Sequence, residues 1–108
     1  MPYVKAQPPM TPEQMRAHVG AACALLKVLA NEDRLMLLCH LAAVRLNVGE
    51  LESVTGIRQP TLSQQLSVLR QDGLVETEKE GKYVYYTLAS DQVVQIMRTL
   101  RGIYCASG

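Results

Sequence analysis

Between Thr11 and Leu29 apolar residues return every three or four positions, at Met15, Val19, Ala22, Cys23, Leu25, Leu26 and Leu29. This is the period of a helix, and its apolar surface is wider than one narrow stripe. Thr11-Pro12-Glu13-Gln14 marks the start: a hydroxyl cap, proline in the first turn, and Gln where a capping box places it. Two partner surfaces are expected to cover this helix. Asn31-Glu32-Asp33 caps a second helix rich in Leu35, Met36, Leu37, Leu38 and Leu41, its acids near the positive end of the dipole. Asn47 caps a short third helix through Glu50, Leu51 and Val54 that stops at Gly56. Pro60 opens a fourth, which runs to about Gln71 and ends at Gly73. Two short helices joined by three or four residues form a helix-turn-helix candidate.

After Gly73 the period changes to two. Leu74 to Lys79, a turn at Glu80-Gly81, and Lys82 to Leu88 read as a β-hairpin, with Tyr83, Tyr85 and Thr87 alternating against Val84, Tyr86 and Leu88. Ser90-Asp91 caps a last helix whose Val93, Val94, Ile96, Met97, Leu100, Ile103 and Tyr104 make a face too wide for one neighbour. The fold class is therefore mainly α with a small β-hairpin: four helices, the hairpin, and a fifth helix, in winged helix-turn-helix order. Residues 1–10, with Pro8-Pro9, read as a flexible N-terminal arm, and residues 11–108 as one domain whose terminal helices form a dimer interface.

Length and composition narrow the function. With 108 residues there is room for one domain, and a chain this short gains a good deal from a partner subunit. The net charge of +1 excludes a polybasic coat, so any nucleic-acid binding must come from a local face. The longest apolar stretch, Leu35 to Val44, is about half the length a bilayer span needs, and the N-terminus lacks the apolar core of a secretory signal. A cytoplasmic protein is expected. Cys23, Cys39 and Cys105 are odd in number and contain no C-x-x-C, which fits neither a disulfide scaffold nor a zinc knuckle. Taken by itself, each cysteine reads as a small buried hydrophobe.

Leu62, Leu66 and Leu69 fall at i, i+4 and i+7 and are expected to point inward, which turns Thr61, Gln64, Gln65 and Val68 outward. Gln can pair with adenine through both major-groove positions, and Thr offers thymine a hydroxyl and a methyl. The predicted DNA-binding set is Arg58, Gln59, Thr61, Ser63, Gln64, Gln65 and Arg70, with Lys79 and Lys82 at the hairpin tip, and Arg58, Arg70, Ser63 and the two lysines suit phosphate contacts. The electrostatics pull the other way. Arg45, Arg58, Arg70, Lys79 and Lys82 against Glu50, Glu52, Asp72, Glu76, Glu78 and Glu80 leave this half at five minus six, or −1. A winged helix used for protein contacts alone is thus a second reading, while a symmetric dimer with two reading helices favours double-stranded DNA.

Leu26-x-x-Leu29-Ala30-Asn31-Glu32-x-Arg34-Leu35, Val48-Gly49-Glu50-Leu51, Gln59-Pro60-Thr61-Leu62-Ser63-Gln64-Gln65-Leu66, Asp72-Gly73-Leu74-Val75 and Tyr85-Tyr86-x-Leu88 resemble the ArsR-type bacterial repressors over nearly the whole chain. The resemblance implies a dimeric winged-helix repressor, not an enzyme, released from operator DNA by a chemical signal. Many members carry His where Gln65 stands, so base preference does not transfer at that position.

Metal sensing in this family implies ligand sets that are not assembled here. There are no cysteines around Val48 to Leu51, and Asp91 stands on the last helix without a His. His40 adjoins Cys39 but points about 100° away on a helix, so neither a metal nor another cofactor is implied, and His18 and His40 read as structural or solvated. The placements of Cys39 and Cys105 instead resemble the persulfide-responsive branch typified by BigR, SqrR and HlyU. That likeness implies a redox-sensing dithiol, Cys39 and Cys105, which reactive sulfur species (persulfides, polysulfides) convert to a polysulfide or disulfide bridge, releasing DNA. Cys23 has no counterpart there and reads as core packing, or at most a modulator. The alternatives are a metal- or arsenic-responsive repressor and, with no C-x-x-C to support it, a thiol oxidoreductase.

Overall fold

The structure, a computed structural model, describes residues 9–105; most of the N-terminal arm, residues 1–8, and residues 106–108 lie outside the described residues. The elements are α1 (Pro12–Leu29), α2 (Glu32–Leu41), β1 (Leu46–Asn47), α3 (Val48–Thr55), α4 (Thr61–Gln71), β2 (Val75–Glu80), β3 (Tyr83–Leu88) and α5 (Asp91–Tyr104). Their starts follow local chemistry. Thr11 and Gln14 cap each other at 3.1 and 2.9 Å, and Asn47 and Glu50 do the same at 2.9 Å each way. Each box satisfies two backbone N–H groups that the first turn leaves without partners. Gly56 closes α3 at φ 74, a left-handed conformation that costs glycine nothing.

The sheet departs from the expected hairpin. Leu46 and Asn47 form a third strand, antiparallel to β3 through Leu46↔Tyr86 and Asn47↔Tyr85, so the order is β1-β3-β2. Two residues are too few to show an alternation of period two, which is why the pattern alone missed β1. β2 and β3 pair from Val75↔Leu88 to Glu80↔Tyr83.

The core is a cluster of leucines. Leu37, Leu38 and Leu41 of α2, Leu51 of α3, and Leu62, Leu66 and Leu69 of α4 meet Leu74, Val75, Val93 and Met97. The inward stripe expected on α4 is observed, with Leu62, Leu66 and Leu69 at 0, 2 and 0% exposure. The terminal helices are different. Only Leu29 of α1 is buried, and Met15, Val19 and Leu26 keep 49, 50 and 59% of their surface. On α5, Val93 and Met97 are buried, whereas Ile103 and Tyr104 are 64 and 80% exposed. Among the described residues no helix is long and apolar enough to cross a membrane.

Candidate nucleic-acid interface and thiol cleft

The helix-turn-helix is α3, the Gly56–Pro60 turn and α4. Burial of the three leucines on one side of α4 leaves Thr61, Ser63, Gln64 and Arg70 exposed on the other, and Arg58 and Gln59 are exposed in the turn before it. Gln65 and Val68 are only half-exposed, contrary to the outward placement expected of them. For Gln65 the reason is a partner. Its Oε1 accepts a 3.0 Å hydrogen bond from Nη1 of Arg34, whose Nε donates to Val28 O at 2.7 Å and whose Nη2 donates to Lys27 O at 3.5 Å. One guanidinium thus ties the last turn of α1 to α4. Gln59 is also engaged: its Oε1 accepts from Ser63 N at 3.0 Å and caps α4, where Pro60 supplies no side-chain cap. Neither contact follows from spacing, because each depends on how the chain is brought together.

On the wing, Lys79 and Lys82 are exposed near the hairpin tip, with Lys82 Nζ 5.5 Å from the centre of the Tyr83 ring. Strand alternation puts Glu78 and Glu80 on one face, and Arg45 answers both. Its Nη1 lies 3.5 Å from Glu78 and its Nη2 is hydrogen-bonded to Glu80, while the guanidinium sits 4.2 Å over the Tyr85 ring. The −1 balance of this half is therefore unevenly distributed. The two glutamates nearest the tip are offset by Arg45, and Arg58, Arg70, Lys79 and Lys82 have no ion-pair partner among the described residues.

The cysteines fall in two places. Cys23 lies exposed on α1, so the core-packing reading is wrong for it within one chain: α1 meets the body of the domain through the face that carries Ala21, Ala24, Leu25, Val28 and Leu29, and Cys23 lies off that face. Cys105 is exposed as well, and Cys39 is half-buried, so none of the three is the fully buried hydrophobe that composition suggests. Cys39 on α2 and Cys105 at the C-cap of α5 nevertheless come together. They line two adjoining clefts of about 180 and 200 Å³, the first with Met36, His40 and Arg101, the second with Leu35, Leu100, Arg101 and Tyr104. His40, which helical geometry turns away from Cys39, still lines the first cleft, because α5 closes over both residues.

Burial pushes the Cys39 thiol above its ordinary value, and a thiolate at Cys105 pushes the same way, while the positive charge of Arg101 opposes them. Cys105 N–H donates to Arg101 O at 2.8 Å, which fixes the backbone of the last turn of α5 beside the cleft. Among the described residues no group of three or more His, Cys, Asp and Glu side chains is arranged to hold a metal ion.

The family model for the bacterial regulatory proteins of the arsR family matches residues 31–77, from the cap of α2 into the first strand of the wing. The chain is 46% identical to the transcriptional activator HlyU of Vibrio cholerae over 97% of its own length and 96% of the relative's. A solved structure of reduced HlyU from Vibrio cholerae superposes with a TM-score of 0.82 at 45% identity, covering 86% of this chain and 98% of that one. Identity is 52% to the biofilm growth-associated repressor of Agrobacterium fabrum, over 85% of this chain and 79% of the relative. The crystal structure of the transcriptional repressor BigR from Xylella fastidiosa matches with a TM-score of 0.83 at 45% identity, covering 89% of this chain and 95% of that one. Burial pattern, element order and these likenesses agree: the chain belongs to the ArsR family of winged helix-turn-helix, DNA-binding transcriptional regulators.

Proposed function

We propose that this protein is a homodimeric repressor that holds operator DNA through α4 and the wing, and lets go when reactive sulfur joins Cys39 to Cys105. The observation that carries the reading is the shared cleft: two thiols far apart in sequence, on α2 and α5 of the same chain, line one pair of hollows. Dimerisation is supported by the apolar side chains of α1 and α5 that one chain leaves uncovered.

The chemistry needs only two thiols and a sulfane sulfur. Cys105, the more exposed, attacks a polysulfide as its thiolate. One S–S bond breaks, a shorter anion leaves, and Cys105 carries a persulfide or longer chain. Cys39, deprotonated in turn, attacks that chain and expels a second anion. The two cysteines lose two electrons to the polysulfide, which leaves as two reduced anions, and two protons pass to solvent. Attack on the Cys105 sulfur gives a disulfide, and where two or more sulfurs have been added, attack on an inner one with departure of those beyond it retains sulfur in the bridge. Joining α5 to α2 bears on the reader because α2 packs against α4 and Arg34 hydrogen-bonds Gln65.

Peptide mass spectrometry after polysulfide treatment is the test. The reading requires a cross-linked Cys39–Cys105 pair that appears as the gel-shifted operator complex is lost. Cys39→Ser and Cys105→Ser bind DNA as before but no longer release it, and Cys23→Ser behaves as the wild type. Modification at Cys23 alone sinks the assignment. A steep fall of affinity with salt marks the phosphate contacts of a true reader, and its absence would favour a protein-contact role instead.

A further inference from the structure

Four glutamines lie on or just before α4; Gln71 is in its last turn, and the three at its start, Gln59, Gln64 and Gln65, present different hydrogen-bonding groups. The carbonyl oxygen of Gln59 accepts from a backbone N–H, and that of Gln65 accepts from a guanidinium, each at 3.0 Å. Both partners are donor-only groups, so chemistry leaves no choice about which end of each amide faces inward: it is the oxygen. The NH2 end is left over. Gln64 is exposed and has no such partner among the described residues.

We infer that, on the DNA-reading surface proposed above, Gln64 is the one of these three glutamines able to read adenine with both ends of its amide, while Gln59 and Gln65 act as donors only. Two-handed pairing with adenine needs the amide oxygen to accept from the N6 amino group while the amide nitrogen donates to N7. An oxygen held inward by Arg34 or by the start of α4 cannot turn with its nitrogen to meet that edge. The spare lone pair on each oxygen does not help, because both ends of the amide have to lie along the base together. Gln59 and Gln65 therefore suit acceptors on DNA, of which the adenine N7 on the base edge and the phosphate oxygen of the backbone lie closest to hand. Arg34 touches no DNA in this scheme. It is a positioning residue that sets which end of Gln65 points out.

The test uses the full-length reduced protein and a duplex selected from random sequence for tight binding. Each adenine in turn is replaced by purine, which lacks the N6 amino group, or by 7-deazaadenine, and single phosphates are replaced by methylphosphonates. Each duplex is titrated with wild type, Gln59→Ala, Gln64→Ala and Gln65→Ala. Loss of an N6 amino group should cost about tenfold in affinity for the wild type and nothing further for Gln64→Ala. With Gln59→Ala and Gln65→Ala the N6 penalty should persist in full, while a penalty at one N7 or one phosphate disappears. The N7 and phosphate arms distinguish the two sources of the acceptor. An N6 penalty that vanishes in Gln59→Ala or Gln65→Ala overturns the inference, as does unchanged affinity of both variants for every duplex.

Repeating the selection with Arg34→Met, whose fold is checked by circular dichroism, reads the positioning role. A base preference that changes at the Gln65 position alone supports it, and an unchanged preference removes Arg34 from the scheme. Failure of the wild type to select any duplex would defeat the DNA-reading proposal itself, which is a different result from selection without this pattern of coupling.

Discussion

Helices α4 and α1 both carry apolar residues at helical spacing, but the domain treats them in opposite ways. The leucines of α4 are almost completely covered, and α4 also gains bonds from Arg34 and Gln59 to hold it in place. On α1, eighteen residues long, only Leu29 is buried, and Met15, Val19 and Leu26 remain about half-exposed. The same periodicity therefore means a finished core in one element and an unfinished surface in the other. The reading half is built within one chain. The uncovered side chains of α1, and those at the end of α5 where Cys105 sits, are where a second subunit and a chemical signal have room to act.

The sharpest way to break this contrast is to cut into both helices. Leu66→Ala removes a fully packed side chain and should cost about 2–5 kcal/mol. In a domain of this size that is a large share of the total stability, and urea unfolding followed by circular dichroism measures it. Met15→Ser combined with Leu26→Ser should leave the midpoint at low protein concentration nearly unchanged while weakening self-association about tenfold or more, read by sedimentation. Equal loss of stability from both sets of changes would erase the distinction.

A smaller effect is expected in the cleft. Burial raises the Cys39 thiol above its ordinary value of 9.0, so its alkylation by iodoacetamide should keep accelerating above pH 9.0. A rate that levels off below that pH would contradict the burial. The sign for stability follows from linkage: the folded chain holds this proton more tightly than the unfolded one, so the contribution is present below the unfolded thiol value and fades as pH rises through the folded one. The smallest change is at the wing. Arg45→Ala uncovers Glu78 and Glu80 near the tip, and operator affinity should fall by about two- to fivefold at low salt, with the difference disappearing at high salt. A loss that persists undiminished at high salt would overturn this electrostatic role for Arg45.

The elements were readable because their signals are local. The caps at Thr11, Asn31, Asn47 and Ser90, the stop at Gly56 and the leucine spacing of α4 all act within a few residues. β1 was not readable, since its two residues become a strand only when β3 lies beside them. The residues proposed to face DNA were named from residue type and spacing, but Gln65 and Gln59 are engaged by partners that spacing does not reveal. Cys23 was misjudged for a related reason. Helical periodicity places it among apolar neighbours, and nothing along the chain says that the domain covers the face of α1 that carries Ala21 and Ala24 and leaves the face of Cys23 open.

What the sequence determined alone was the order and type of nearly every element, the inward face of α4, and the residue types available to meet DNA or sulfur. Each follows from interactions between residues that are neighbours along the backbone. Tertiary structure decided the rest: that Cys39 and Cys105 share a cleft with His40 and Arg101, that Arg45 offsets the wing's glutamates, and that Arg34 holds Gln65 by its oxygen. Those are contacts across long loops of chain. A hydrogen bond or a burial of this kind exists only once separate elements have packed, and no period in the chain encodes which atoms will then lie within three ångströms of each other.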